Sequence, residues 1–124
     1  MATKNLTYDD FESTITGNPL VLVDFWASWC GPCRAFAPVY ERSSQAHPEV
    51  VHAKVDTQHE RDLAATLEIT SIPTVMAFRD GVLVYRQAGA MPPAALEDLI
   101  TRVKALDMAE VRAKIAARRT ATQV

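Results

Sequence analysis

The chain has 124 residues, of which 48% are hydrophobic and 23% charged, and its formal net charge is -2 at pH 7. Those values fit one soluble domain with a real core, and no internal repeat or low-complexity tract interrupts it. The slight negative charge gives no reason to expect a nucleic-acid partner.

In chain order, "MATKNLTYDD" carries no apolar signal core behind its lysine. The longest apolar run, "PLVLVDFWA", is too short to cross a bilayer and contains an aspartate. The expectation is a cytoplasmic protein with no membrane partner. "LTYDDFESTI" reads as a helix with Thr7 as N-cap, acidic residues in its first turn, and Phe11 and Ile15 on one face. A short strand is possible before Leu6. "PLVLVDFWA" reads as a central strand, because its hydrophobicity is nearly continuous and implies cover on both faces.

After "CGPC", Cys33, Phe36, Ala37 and Tyr40 fall at helical spacing, and Pro38 inside that helix predicts a kink. "VVHAKV" reads as a strand and "ERDLAATL" as a short helix with Leu63 and Leu67 on one face. "PTVMAF" and "VLVYRQ" are strands joined by "RDG", a hairpin signal that makes them antiparallel. "PPAALEDLITRVKAL" is a helix with a proline start and apolar Leu96, Leu99, Ile100 and Val103. Helices alternating with strands, closed by a hairpin, imply an α/β sandwich on a mixed sheet.

The segment 107–124 then reads as an extension to a domain of residues 1–106. Asp107 and Glu110 have the spacing of a capping box, and Met108, Val111 and Ile115 form a narrow apolar stripe. Arg112, Lys114, Arg118 and Arg119 fill the other faces. A helix this short is marginal alone and needs a surface to pack on.

The only two cysteines, Cys30 and Cys33, stand where a strand ends and a helix begins. A structural zinc site needs four ligands, and His47, His52 and His59 do not fall in a ligand-like spacing near this pair. Such scattered histidines read as solvated polar residues. A redox pair fits better. Disulfide staples do not persist in a reducing compartment, and a helix N-terminus stabilises the thiolate of Cys30. Cys33, one turn along, can close a small disulfide ring with it.

Asp24 lies in the strand expected to be covered on both faces, so burial should raise its pKa toward the range of a proton acceptor at neutral pH. The bland alternative is an aspartate at a solvated bulge. Lys54 alone reads as a snorkelling surface lysine. Gly81 reads as the hairpin turn, Trp26 as mostly core, and the X–Pro bond before Pro73 as trans by prior.

"WASWCGPC", "SIPT" and "GVLVYRQAGA", in this order, closely resemble the thioredoxin family over about residues 3–106. "KVDTQHE" and "SIPT" look most like its thioredoxin 2 branch, without that branch's N-terminal zinc module of four further cysteines. The resemblance implies a thioredoxin fold, a central mixed sheet flanked by helices on both faces. It also implies a protein-disulfide reductase. Cys30 attacks, Cys33 resolves, and Asp24 takes the proton of Cys33. Gly31 and Pro32 are the reducing version of the dipeptide between the cysteines. Lys54 lies near Asp24, and Ile72–Pro73 is a cis bond whose backbone pairs with the client. Trp29, Gly89 and Ala90 belong to the client face.

The implied partners are disulfide-containing client proteins and a thioredoxin reductase that passes on electrons from NADPH. The chain has no glycine-rich nucleotide fingerprint of its own, so no bound cofactor or metal is expected beyond the Cys30–Cys33 disulfide, and the protein is expected to be a monomer. The rival reading is a thioredoxin-like binding or chaperone subunit that uses the same surface without turnover.

Overall fold

The computed structural model describes residues 2–122. The elements run β1 (Thr3–Asn5), α1 (Tyr8–Thr16), β2 (Leu20–Trp26), α2 (Gly31–Ala46), β3 (Val51–Asp56) and α3 (Arg61–Thr66). They continue with β4 (Thr74–Arg79), β5 (Val82–Ala88), α4 (Pro93–Lys104) and α5 (Met108–Thr122). The five strands form one sheet in the order β1-β3-β2-β4-β5. β3 is parallel to β1 and β2, whereas β4 is antiparallel to β2 and β5. This is the mixed sheet that the alternating pattern predicts.

β2 lies at the centre, and its residues from Leu20 to Phe25 are all buried. The alternation of a strand divides them between two cores. Leu20 and Leu22 meet Phe36, Tyr40, Leu96 and Ile100 on the face covered by α2 and α4. Val21, Val23 and Phe25 meet Ile15, Leu63 and Met76 on the face covered by α1 and α3. A strand covered on both faces is nearly continuous in hydrophobicity because neither side is left for water. Asp24 interrupts it on the α2 and α4 side.

The local signals act as chemistry requires. The Thr7 N–H donates to the Asp10 carboxylate at 2.6 Å at the start of α1, and Phe11 meets Phe78 edge-on with ring centroids 6.0 Å apart. Asp80 (φ 52°) and Gly81 (φ 80°) both occupy the left-handed region in a two-residue turn between paired Arg79 and Val82. A hairpin turn of that twist favours Asp-Gly. Pro38 lies within α2, which continues from Gly31 to Ala46; the proline removes one ladder hydrogen bond.

α5 uses half of the capping box. The Asp107 carboxylate accepts the N–H groups of Ala109 (3.0 Å) and Glu110 (3.3 Å), while the Glu110 carboxylate turns to Lys114 at 3.3 Å. Met108 is buried, and Val111 and Ile115 are half-buried. Arg112 approaches Asp80 at 3.8 Å, and the Arg79 guanidinium donates to the carbonyls of Val103, Lys104 and Leu106. The tail therefore docks by the β4–β5 turn. That is the end of β4 opposite Pro73, about 20 Å away at ~3.4 Å per residue.

One expectation is corrected. The three histidines read as solvated residues, yet His52 is 1% exposed. It sits on β3 beneath α2, with Nε2 2.9 Å from the Ser43 hydroxyl and Nδ1 3.1 Å from the Val50 carbonyl. Its ring meets Tyr40 at 5.1 Å, and the Tyr40 hydroxyl donates to the Ala53 carbonyl at 2.7 Å. A buried polar side chain is tolerated when its atoms are hydrogen-bonded, and α2 supplies that partner. His47 and His59 pair instead with Glu97 and Asp56, each at 2.8 Å.

Candidate active site at the start of α2

β2 delivers the chain to a turn in which the Cys30 N–H donates to the Ala27 carbonyl at 3.2 Å. Cys30 is the N-cap of α2, with extended backbone (φ -87°, ψ 113°), and its sulfur accepts the Cys33 N–H at 3.2 Å. The first N–H groups of a helix have no partner within it, and the sulfur supplies one. Pro32 stands in this first turn, where its missing N–H costs no helical bond. Cys30 and Cys33 are joined by a disulfide, with Cα atoms 5.2 Å apart.

Exposure does not rank the two sulfurs, since Cys30 is 5% exposed and Cys33 3%. The N–H bond does. It favours negative charge on Cys30, as does the helix dipole. Trp29, next to Cys30, is 63% exposed.

Asp24 is 1% exposed, and neither carboxylate oxygen has a hydrogen-bond partner among the described residues. Burial pushes its pKa up to about 7, while the charge of Lys54 opposes part of that rise. Lys54 is the residue opposite Asp24 in the β2–β3 register. Its ammonium stands 4.9 Å from the centre of the Trp26 ring, a cation–π contact that places it along the strand. The solvated-bulge alternative for Asp24 and the simple snorkelling reading of Lys54 do not describe this geometry. Trp26 is half-buried, and its buried Nε1 has no hydrogen-bond partner among the described residues.

The loop before β4 closes the other side. Ile72–Pro73 is cis, and the Ile72 carbonyl lies 3.8 Å from the Cys30 sulfur. The Pro73 carbonyl accepts the Gly89 N–H at 2.8 Å. Gly89 has φ 106°, and a Cβ there would meet no atom within 4 Å. Backbone conformation, and not lack of room, requires glycine at this position. Ala90 follows it at an exposed position, and Gly31 is exposed between the cysteines. Ile72, Pro73 and Gly89 are thus linked to one another and to Cys30.

Sequence reasoning missed a second ring of contacts. The Arg34 guanidinium donates to the Ser28 carbonyl at 3.0 Å. Ser28 in turn meets the Gln58 side chain at 3.5 Å. Thr57 donates its N–H (2.9 Å) and hydroxyl (3.0 Å) to the Trp26 carbonyl, which ties the β3–α3 loop to the cysteine loop. Only the position of Arg34, four residues after Cys30, signals any of this in the sequence.

Among the described residues, no group of three His, Cys, Asp or Glu side chains is placed to hold a metal, and no helix is long and apolar enough to cross a membrane. The thioredoxin family profile matches residues 2–102. A Streptomyces coelicolor protein named "Putative thioredoxin 2" is 50% identical over 115 residues, spanning 93% of this chain and 86% of that one. The solved Plasmodium falciparum thioredoxin superposes with a TM-score of 0.75 at 39% identity, covering 81% of this chain and 98% of the other.

A further solved chain has a TM-score of 0.75 at 35% identity, covering 81% of this chain and 94% of its own. It comes from work on thiol resolution in yeast mitochondrial 1-Cys peroxiredoxin via glutathione/thioredoxin systems. The chain described above belongs to the thioredoxin family, and its activity is that of a thiol–disulfide oxidoreductase, a protein-disulfide reductase.

Proposed function

We propose that Cys30 is the attacking thiol, Cys33 the resolving thiol and Asp24 the proton acceptor of this reductase. The observation that carries the order is the Cys33 N–H directed at the Cys30 sulfur from the first turn of α2. In the first exchange the Cys30 thiolate attacks one sulfur of a client disulfide. The client S–S bond breaks, a mixed disulfide forms, and the released client thiolate takes a proton. Cys33 then gives its proton to Asp24, directly or through water, and attacks the Cys30 sulfur. The second client thiolate leaves, so two electrons have passed to the client and the Cys30–Cys33 disulfide has formed. An aspartate poised near neutral pH suits that transfer.

Lys54 moderates the carboxylate of Asp24, and Gly31 and Pro32 start the helix that favours the thiolate. Trp29, Ile72, Pro73, Gly89 and Ala90 form the client face. The exposed indole supplies apolar contact, and the Ile72 backbone receives an extended client segment as an added strand. Disulfide-containing proteins are the substrates. A separate thioredoxin reductase, fed by NADPH, regenerates the dithiol. A reducing compartment, the cytoplasm, is where a dithiol donor of this kind works. The site is built from one chain, and the protein acts as a monomer. Residues 1–106 carry the chemistry, with 107–124 as an extension.

Insulin-disulfide reduction, with and without a reductase and NADPH, tests the activity. The order of the thiols is tested by trapping. Cys33→Ser should hold client proteins in a mixed disulfide through Cys30, and Cys30→Ser should hold almost none. Equal trapping by both variants refutes the assignment.

A further inference from the structure

Arg34 takes no part in the thiol exchange of Cys30 and Cys33 or in the proton transfer to Asp24. It follows Cys30 by four residues, and its N–H donates to the Cys30 carbonyl at 3.1 Å, so the two share one face of α2. Long side chains on a helix lean toward the N-terminus. The guanidinium accordingly reaches back past Cys30 and is held on the Ser28 carbonyl at 3.0 Å. That bond uses one of five guanidinium N–H groups, and the residue is exposed.

The surroundings make this cation count. Three segments are tied to the cysteine loop Ser28–Pro32: Thr57–His59 through Trp26 and Ser28, Thr70–Pro73 through Ile72, and Gly89–Pro93 through Pro73. None contains an aspartate, glutamate, lysine or arginine. His59 is engaged with Asp56 at 2.8 Å, and the Asp56 carboxylate also accepts the N–H of Gln58 at 2.9 Å. Arg61, held on the Gln58 carbonyl at 3.3 Å, adds a second cation farther along that side. Those segments are thus bordered by a guanidinium anchored on the backbone carbonyl two residues before Cys30. A tethered guanidinium loses less freedom on pairing with a carboxylate than a loose side chain does.

We propose that Arg34 is a specificity-determining residue that favours clients carrying a carboxylate next to the disulfide and disfavours those carrying a lysine there. This rests on the reductase reading above. A favourable pair with the acidic client and a repulsion with the basic one are each worth about 0.3–0.7 kcal/mol at 1.36 kcal/mol per tenfold in rate, within the range of exposed ion pairs. Together they separate the two clients by about threefold to tenfold in rate.

The test uses two disulfide peptides identical except for Glu or Lys beside the attacked cysteine. Their single-turnover reduction by the pre-reduced full-length protein is followed in low salt and in about 0.5 M salt, where surface attraction is screened. Wild type should reduce the Glu peptide faster, and Arg34→Gln should lower the Glu/Lys rate ratio by about threefold to tenfold. Arg34→Lys should keep most of the ratio, since it keeps the charge. Arg42→Gln makes the same charge change at an exposed site farther along α2 and should leave the ratio unchanged. The difference should collapse in high salt.

An unchanged ratio in Arg34→Gln overturns the proposal, and so does an equal change in Arg42→Gln. If wild type reduced neither peptide, the reductase reading itself would fall. Reduction of both at equal rates by wild type and variant sinks only the role of Arg34.

Discussion

Replacing Asp24 by asparagine offers a quantitative test of how the central strand sets the proton acceptor. The unfolded chain ionises this carboxyl near 3.8, whereas burial holds it protonated in the folded protein up to about 7. Between those values the native state binds more protons than the unfolded one, so stability falls as pH rises through the window and levels off above it. The difference of about 3 pH units corresponds to about 4 kcal/mol at 1.36 kcal/mol per unit. Asparagine keeps the shape and polarity of the neutral carboxyl but cannot ionise.

Urea unfolding of the oxidised proteins from pH 4 to pH 9 isolates the effect, because disulfide-bonded cysteines do not titrate. The two proteins should be equally stable near pH 4 within about 1 kcal/mol, the scale of a buried amide's net hydrogen-bonding difference. By pH 9 the Asp24→Asn protein should lead by about 3–4 kcal/mol. The same variant should resolve mixed disulfides slowly near pH 7 and recover at high pH, where Cys33 ionises unaided. A stability difference that stayed flat across the range would refute the ionisation argument. Equal resolution rates at every pH would remove Asp24 from the mechanism.

Lys54→Met should move the same transition to higher pH, since the lysine charge now opposes the rise of Asp24; an unmoved transition in the unfolding series would exclude that coupling. Burial lowers the His52 pKa below its usual value, so its contribution to stability is lost as pH falls beneath about 6.5. His52→Asn should flatten the acid side of the stability profile, and an unchanged acid slope in urea unfolding would refute this. Truncation after Leu106 removes buried Met108 and should cost about 1.5–3 kcal/mol of stability, leaving insulin reduction within about twofold of wild type. A large loss of turnover in a truncation that still unfolds cooperatively would place the tail in the active site.

The parts of this protein that were legible in its sequence are those fixed by neighbours along the chain. The run from Leu20 to Phe25 announces a strand with two covered faces, and Asp80-Gly81 announces a tight hairpin, because each signal follows from local backbone chemistry. Cys30 and Cys33 announce a closable ring at a helix start for the same reason. Asp24 became informative only through the strand around it, since a carboxylate amid such neighbours has no solvated side to turn toward.

What stayed hidden depends on register between elements. His52 is buried because the β2–β3 pairing sets it opposite Leu22 on the α2 face, where Ser43 meets it. Read along β3 alone, it is one polar residue in a partly alternating strand. Lys54 and Trp26 meet across two strands, and no periodicity within either strand encodes that contact. Arg34 shows the boundary between the two cases. Its spacing from Cys30 was visible, but its anchor is a backbone carbonyl, which every residue possesses and no sequence distinguishes. Chemistry built from side chains at fixed spacing can therefore be read early, whereas tuning by backbone groups and cross-strand neighbours waits for the fold.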